Sequence, residues 1–403
     1  MRDFLLPNRR RFLATSGALA TTLVLRGRVG GQDRRATARA KAAKDLFIHT
    51  EEPLNAEPEL SELVQAQITP IEHFYVRNHG PTPKLKAEEV KLQIGGLVNR
   101  PLELSVGEVR EKYAKQTVEA TLTCAGNRRE EHNAAGKVGG VQWRAGAIGN
   151  AHWEGASLAE LLKQAELRPG AKHVWFEGLD SIKERDGTSA PFGGSIPLER
   201  ALAGDNGSLA LVAYQMNDQP LLAEHGFPLR TIVPGFIGAR SVKWLTKITV
   251  SDRPSPNHYV ADAYKLIQKE ADAKDRDPIY HFPINSAICV PAEGAKLRAG
   301  QTKIAGYALP TGEPGCTIAK VELSLDGGKS WREAKLDGGT GSDKAAGITW
   351  QLWSTEIELP AGKHTLTVRA TDSLGNQQPA RPEWNMKGYL FNGWQRVAVE
   401  VSA

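Results

Sequence analysis

Cysteine is scarce in this chain: its 403 residues hold three, Cys124, Cys289 and Cys316. Three cannot build a disulfide framework, so packing must hold the fold. One bridge between Cys289 and Cys316, or two free buried thiols, both fit the sequence. No two of the three have the C-x-x-C-H spacing of a haem attachment site. A long apolar run is also missing. The stretch Ala14 to Leu25 is interrupted by Thr15, Ser16, Gly17, Thr21 and Thr22, and is too short and polar for a stable membrane span. The body lacks a basic face. Formal charge is +5, yet residues 1–45 carry eleven Lys/Arg against three Asp, a surplus of +8. The rest of the chain is therefore at −3, which argues against nucleic-acid binding. Val138-Gly139-Gly140-Val141-Gln142-Trp143 is glycine-rich but lacks the spacing of a dinucleotide loop.

With 40% hydrophobic and 24% charged residues, the chain is long enough for two or three globular domains. Asn8-Arg9-Arg10-Arg11-Phe12-Leu13, ahead of the weakly apolar run, is similar to a twin-arginine export signal. That predicts an exported, periplasmic protein with a leader and linker over 1–45; a plain basic tail is the bland alternative.

Thr121-Leu122-Thr123-Cys124-Ala125-Gly126-Asn127-Arg128-Arg129 stands out in the body. Val118, Ala120 and Leu122 alternate, so a strand runs into one thiol followed by a glycine, an amide and two guanidiniums. Nearby cations favour the thiolate, the form that attacks carbon or binds metal. Other polar residues also fall at predicted strand ends: Arg77, Asp180, His225, Arg230 and Lys243. Each alone reads as an ordinary loop residue; the set suggests one site on the rim of a mixed α+β core. Residues 46–70 are acidic and proline-punctuated and predict a surface wrap. Ser157-Leu158-Ala159-Glu160 reads as a capping box opening a helix. Lys269 to Pro278 is charged without apolar period and reads as a linker. Beyond residue 281, short alternating strands separated by turns such as Asp326-Gly327-Gly328 predict an immunoglobulin-like β-sandwich.

Five stretches together resemble the molybdopterin domain of the sulfite oxidase family: Tyr75-Val76-Arg77-Asn78-His79, Leu122 to Arg129, Glu177-Gly178-Leu179-Asp180, His225 to Arg230, and Gly238 to Trp244. Leu323 to Trp331 and Trp384-Asn385-Met386-Lys387-Gly388 are similar to the family's C-terminal dimerisation domain. The likeness covers roughly 46–403. It implies a catalytic domain over 46–280 and an immunoglobulin-like dimerisation domain over 281–403. It also implies a molybdenum–molybdopterin cofactor, with Cys124 as the thiolate on the metal. Tyr75, Val76, Arg77, Asn78, His79, Asp180, His225, Arg230, Ser241, Val242 and Lys243 would contact the pterin and its phosphate. Arg77, Tyr264, Trp143 and Lys387 would face substrate. The implied reaction is oxidation of sulfite to sulfate by attack of sulfur on a Mo(VI) oxo group.

Without a haem in this chain, electrons would pass to a separate acceptor: first a c-type cytochrome, second oxygen. A homodimer is a further implication. The alternatives are another oxyanion or sulfur reaction on the same scaffold, such as nitrate reduction or sulfane oxidation, or a metal-free secreted binding protein. Two positions depart from the family pattern. Lys387 replaces a pocket arginine and loses its planar fork, and Gly139 stands where several relatives carry lysine. Asn127, Arg128 and Arg129 read as structural supports of the cysteine loop.

Overall fold

A computed structural model describes residues 46–183, 187–204, 209–337 and 348–403. The leader predicted over 1–45 lies outside the described residues. All described residues fall in one compact unit, Lys41–Ala403.

The first half is built on two five-stranded sheets. In one, the order is Gly193–Pro197, His173–Glu177, Lys247–Ser251, Lys91–Gly96, Leu102–Ser105. Only Lys247–Ser251 and Lys91–Gly96 run parallel. In the other, Gln219–Pro220, Leu211–Met216, Ile148–Ser157 and Lys115–Thr123 follow in order, and Arg230–Ile232 pairs with Leu211–Met216. Helix Leu158–Ala165 packs Leu158, Leu161, Leu162 and Ala165 into the core beside Val174, Phe176 and Ile248. The apolar spacing of three and four residues sets that face, and each buried leucine contributes about 2 kcal/mol.

The second half is a two-sheet sandwich, as the alternation predicts. Asn285–Val290, Gly300–Leu309, Gln351–Leu359 and Lys335–Asp337 form one sheet. Ala295–Arg298, Gln395–Ser402, Gly362–Asp372, Ile318–Ser324 and Arg332–Glu333 form the other. Gln395–Ser402 shows strict inward–outward alternation, placing Val397, Val399 and Val401 in the core with Trp353, Leu366 and Val368. Cys289 and Cys316 are free and buried; burial pushes the Cys289 thiol up to about 12. The two halves also share a core: Ala125, Tyr264 and Ile279 pack with Cys289, Tyr307 and Trp350.

The predicted surface wrap over 46–70 is corrected. Leu46–Thr50 and Asn55–Pro58 form an antiparallel hairpin extended by Val76–Arg77. Glu57 is fully buried. Its carboxylate accepts from Arg144 N at 2.9 Å, Gly146 N at 2.8 Å and His49 at 2.7 Å, so an acidic residue enters the core by bringing its partners. Within the predicted linker, Glu270–Asp275 forms a helical turn.

Candidate active site

Strand Lys115–Thr123 is pinned across its length to Ile148–Ser157 and delivers Cys124 at its end. Cys124 N donates to Ala147 O at 2.9 Å, and Asn127 N donates back to Cys124 O at 2.9 Å. Gly126 N lies 3.4 Å from the sulfur. The thiol is nearly buried, at 8% exposure, on the wall of an open cleft.

The cleft gathers most of the predicted site. Tyr75, Arg77, Asn78, His79, Cys124, Asp180, His225, Arg230, Ser241, Lys243 and Tyr264 all line it. Four predicted residues are not on its lining. Val76 and Val242 are buried core residues. Trp143 is fully buried, with its ring edge-on to His49 at 4.8 Å. Lys387 Nζ instead pairs with Glu270 Oε1 at 2.6 Å. Its turn reaches the site indirectly, because Tyr389 stacks on Tyr264 with centroids 5.1 Å apart. Sequence reasoning missed the aromatic walls, Phe74, Phe192 and Trp244, and the carboxylate Glu224. The signal for Phe74 and Trp244 was adjacency to motif residues already singled out. Phe192 stacks on His79 at 5.0 Å from a distant stretch with no motif.

Asn127, Arg128 and Arg129 brace the loop, as expected. Arg128 is fully buried, holds Glu131 at 2.6 Å and donates to Asn285 Oδ1 at 2.7 Å. Arg129 donates to Val141 O at 2.9 Å and Gly388 O at 3.3 Å, with its guanidinium 5.1 Å from the Tyr389 ring centre. Gly238 sits at a close approach: a Cβ there would meet Tyr75 Oη at 2.8 Å and Thr123 O at 3.2 Å.

The cations of the cleft are hydrogen-bonded to neutral groups. Arg230 donates to His225 O at 2.8 Å and Ser241 O at 3.1 Å, and its Nε has no partner among the described residues. Lys243 bonds Asn78 Oδ1 and the Glu224 backbone carbonyl, with its ammonium 4.5 Å from the Trp244 ring centre. Lys243 is half-buried as a residue, but its ammonium is enclosed by these groups. Arg77 bonds Asn55 Oδ1, the Asn78 carbonyl and His79. Every one of these partners is a neutral side chain or a backbone carbonyl. Burial lowers Arg230 to about 10. Burial, then Arg230 beside it, holds Lys243 well below its usual range. Burial with Lys243 and Arg230 lowers His225 to about 3, and burial with Arg77 holds His79 well down. Both rings are therefore neutral near pH 7. Burial raises Tyr264 and Tyr75, keeping both hydroxyls protonated. Tyr264, at φ +45°, has its hydroxyl 2.8 Å from His79 Nε2.

The cleft thus sets three cations, Arg77, Arg230 and Lys243, against two carboxylates, Asp180 and Glu224, and offers one soft donor. The residues fit an anionic, sulfur-rich metal cofactor: Cys124 for the metal, and Arg230, Lys243 and Asn78 for a phosphate. Comparison with known proteins agrees. Residues 79–259 match the oxidoreductase molybdopterin binding domain model, and residues 276–402 match the Mo-co oxidoreductase dimerisation domain model. The class is thus a molybdopterin oxidoreductase domain followed by a β-rich dimerisation domain.

Among relatives, the Arabidopsis thaliana sulfite oxidase is 37% identical over 380 residues, covering 88% of this chain and 94% of that protein. Human mitochondrial sulfite oxidase is 40% identical over 369 residues, covering 89% of this chain; the chain spans 66% of that protein's length. The chain belongs to the sulfite oxidase family. In fold it is similar to the sulfane dehydrogenase SoxCD of Paracoccus pantotrophus, with a TM-score of 0.73, 24% identity and 96% coverage of both chains.

Proposed function

We propose that this chain oxidises sulfite to sulfate as a molybdenum enzyme and passes electrons to a separate acceptor, a c-type cytochrome. One observation carries the reading: a single thiol and three cations, each hydrogen-bonded to neutral groups, converge on one cleft. When bound, the molybdenum cofactor supplies two-electron oxidation with transfer of an oxygen atom. The chain's own residues do the rest. Cys124 would hold the metal, and Arg230, Lys243 and Asn78 the phosphate. Arg77 offers paired, directional donors to an oxyanion. Neutral His79 fixes the Tyr264 hydroxyl at 2.8 Å, and the raised Tyr264 holds a proton at Oη for a substrate oxygen. Phe192, stacked on His79, helps keep water out.

The twin-arginine-like leader supports export, and the match of 276–402 to a dimerisation domain supports a homodimer. Among the described residues no helix is long and apolar enough to cross a membrane. A second reading, another oxyanion or sulfur reaction on the same scaffold, is favoured by the tethering of Lys387 to Glu270 away from the cleft lining. Natively purified protein should contain molybdenum and reduce cytochrome c in a sulfite-dependent way. Metal-loaded protein that does not turn over sulfite would sink the leading reading. Cys124→Ser should abolish activity and metal retention while leaving the thermal unfolding curve in place.

A further inference from the structure

The cysteine loop is braced from the sandwich half. Tyr307, on strand Gly300–Leu309, is fully buried. Its hydroxyl accepts from Asn127 Nδ2 at 3.1 Å and donates to Ala145 O at 2.9 Å. Asn127 Oδ1 accepts from Ala147 N at 3.0 Å, and Ala147 O accepts from Cys124 N at 2.9 Å. One phenolic oxygen therefore ties together both pieces of chain that fix Cys124, residues 124–127 and 145–147. The ring is itself held by stacking on Trp350, with centroids 5.7 Å apart. Trp350 N donates to Thr121 Oγ1 at 2.8 Å, and Thr121 N donates to Ile348 O at 3.1 Å. The same patch of the sandwich thus grips the strand leading into the loop.

A phenylalanine would fill the same space and keep the stacking, so the hydroxyl is the informative atom. Tyr307 is not among the residues lining the cleft, and it acts on the sulfur only indirectly, through Asn127 and the Ala145–Ala147 segment. We propose that Tyr307 is a positioning residue for Cys124: its hydroxyl, through Asn127, fixes the loop that presents the sulfur to the cleft. The functional meaning rests on Cys124 being the metal anchor; the mechanical coupling does not.

The test uses full-length protein prepared without cofactor, as wild type, Tyr307→Phe, Asn127→Ala and the double variant. Iodoacetamide labelling is read at Cys124 by peptide mass spectrometry, alongside hydrogen exchange. Tyr307→Phe should speed Cys124 labelling roughly fivefold or more, the size expected when a buried hydrogen bond is left unmade. Exchange should rise in peptides covering 120–130 and 145–148, and stay unchanged across 364–370 and 396–402. The double variant should fall short of the product of the two single effects, because both singles remove the same Asn127–Tyr307 bond. Unchanged labelling, or exchange rising equally through the sandwich, overturns the proposal. If Asn127→Ala does not fold, Tyr307→Phe alone decides. Expected labelling in a protein that retains no molybdenum when expressed with cofactor would leave the coupling standing and remove the metal reading.

Discussion

The buried histidine that lines the cleft, His225, should make the cofactor-free protein unusually sensitive to acid. Burial and the charges of Lys243 and Arg230 oppose a third cation and push His225 down from its ordinary 6.5 to about 3. The folded value is depressed, so between these limits the unfolded chain binds the extra proton. Stability is then greatest above 6.5 and falls as pH drops toward 3. At about 1.4 kcal/mol per pH unit, going from about pH 7 to about pH 5 removes about 2 kcal/mol through this one group. Other groups titrate over the same range, so the informative quantity is the difference between wild type and His225→Gln. Urea unfolding at both pH values, followed by tryptophan fluorescence, should show the variant losing about 2 kcal/mol less than wild type. An anionic cofactor beside Lys243 and Arg230 removes the opposing charge, so loading should shrink the difference. Wild type and variant falling in parallel in the cofactor-free state would refute the reasoning, since the ring would then be free to protonate in the fold.

Three further outcomes follow from contacts around the cleft. Glu270→Gln releases Lys387 from its 2.6 Å partner, so KM for sulfite should fall roughly two- to fivefold at low ionic strength with kcat unchanged, and the effect should fade in high salt. A Cβ at Gly139 has nothing within 4 Å, so Gly139→Lys should leave the melting temperature unchanged while adding an exposed cation; a lowered melting temperature would show that the space is not open. Arg128→Ala strips Glu131, Asn285 and the Ser286 carbonyl of a buried charged donor and should cost about 3 kcal/mol in chemical unfolding.

What was legible in the sequence depended on whether an interaction is local. Strand Lys115–Thr123 alternates because one face is buried, and Cys124 follows it directly. The sandwich strands show the same period for the same reason, as Gln395–Ser402 does. Caps were read less evenly. Ser157 accepts from Glu160 N at 3.4 Å, but the fully reciprocal box is Ser105 with Glu108, closed at 2.8 Å and 3.2 Å, one motif earlier. Burial through distant partners left no local trace. Glu57 reads as a solvated acid until Arg144 and Gly146, 87 and 89 residues away, supply its donors. Lys387 was placed in the pocket by position within its motif, yet its neighbour in space is Glu270, 117 residues earlier, in a stretch read as linker. The brace on Cys124 is of the same kind, since Asn127 and Tyr307 are 180 residues apart. A motif therefore names the atoms that meet the ligand, while the contacts that hold them still come from anywhere the fold returns. In this chain some of those holding contacts come from the sandwich, as Tyr307 to Asn127 and Asn285 to Arg128 do, so the second half is part of the site's framework.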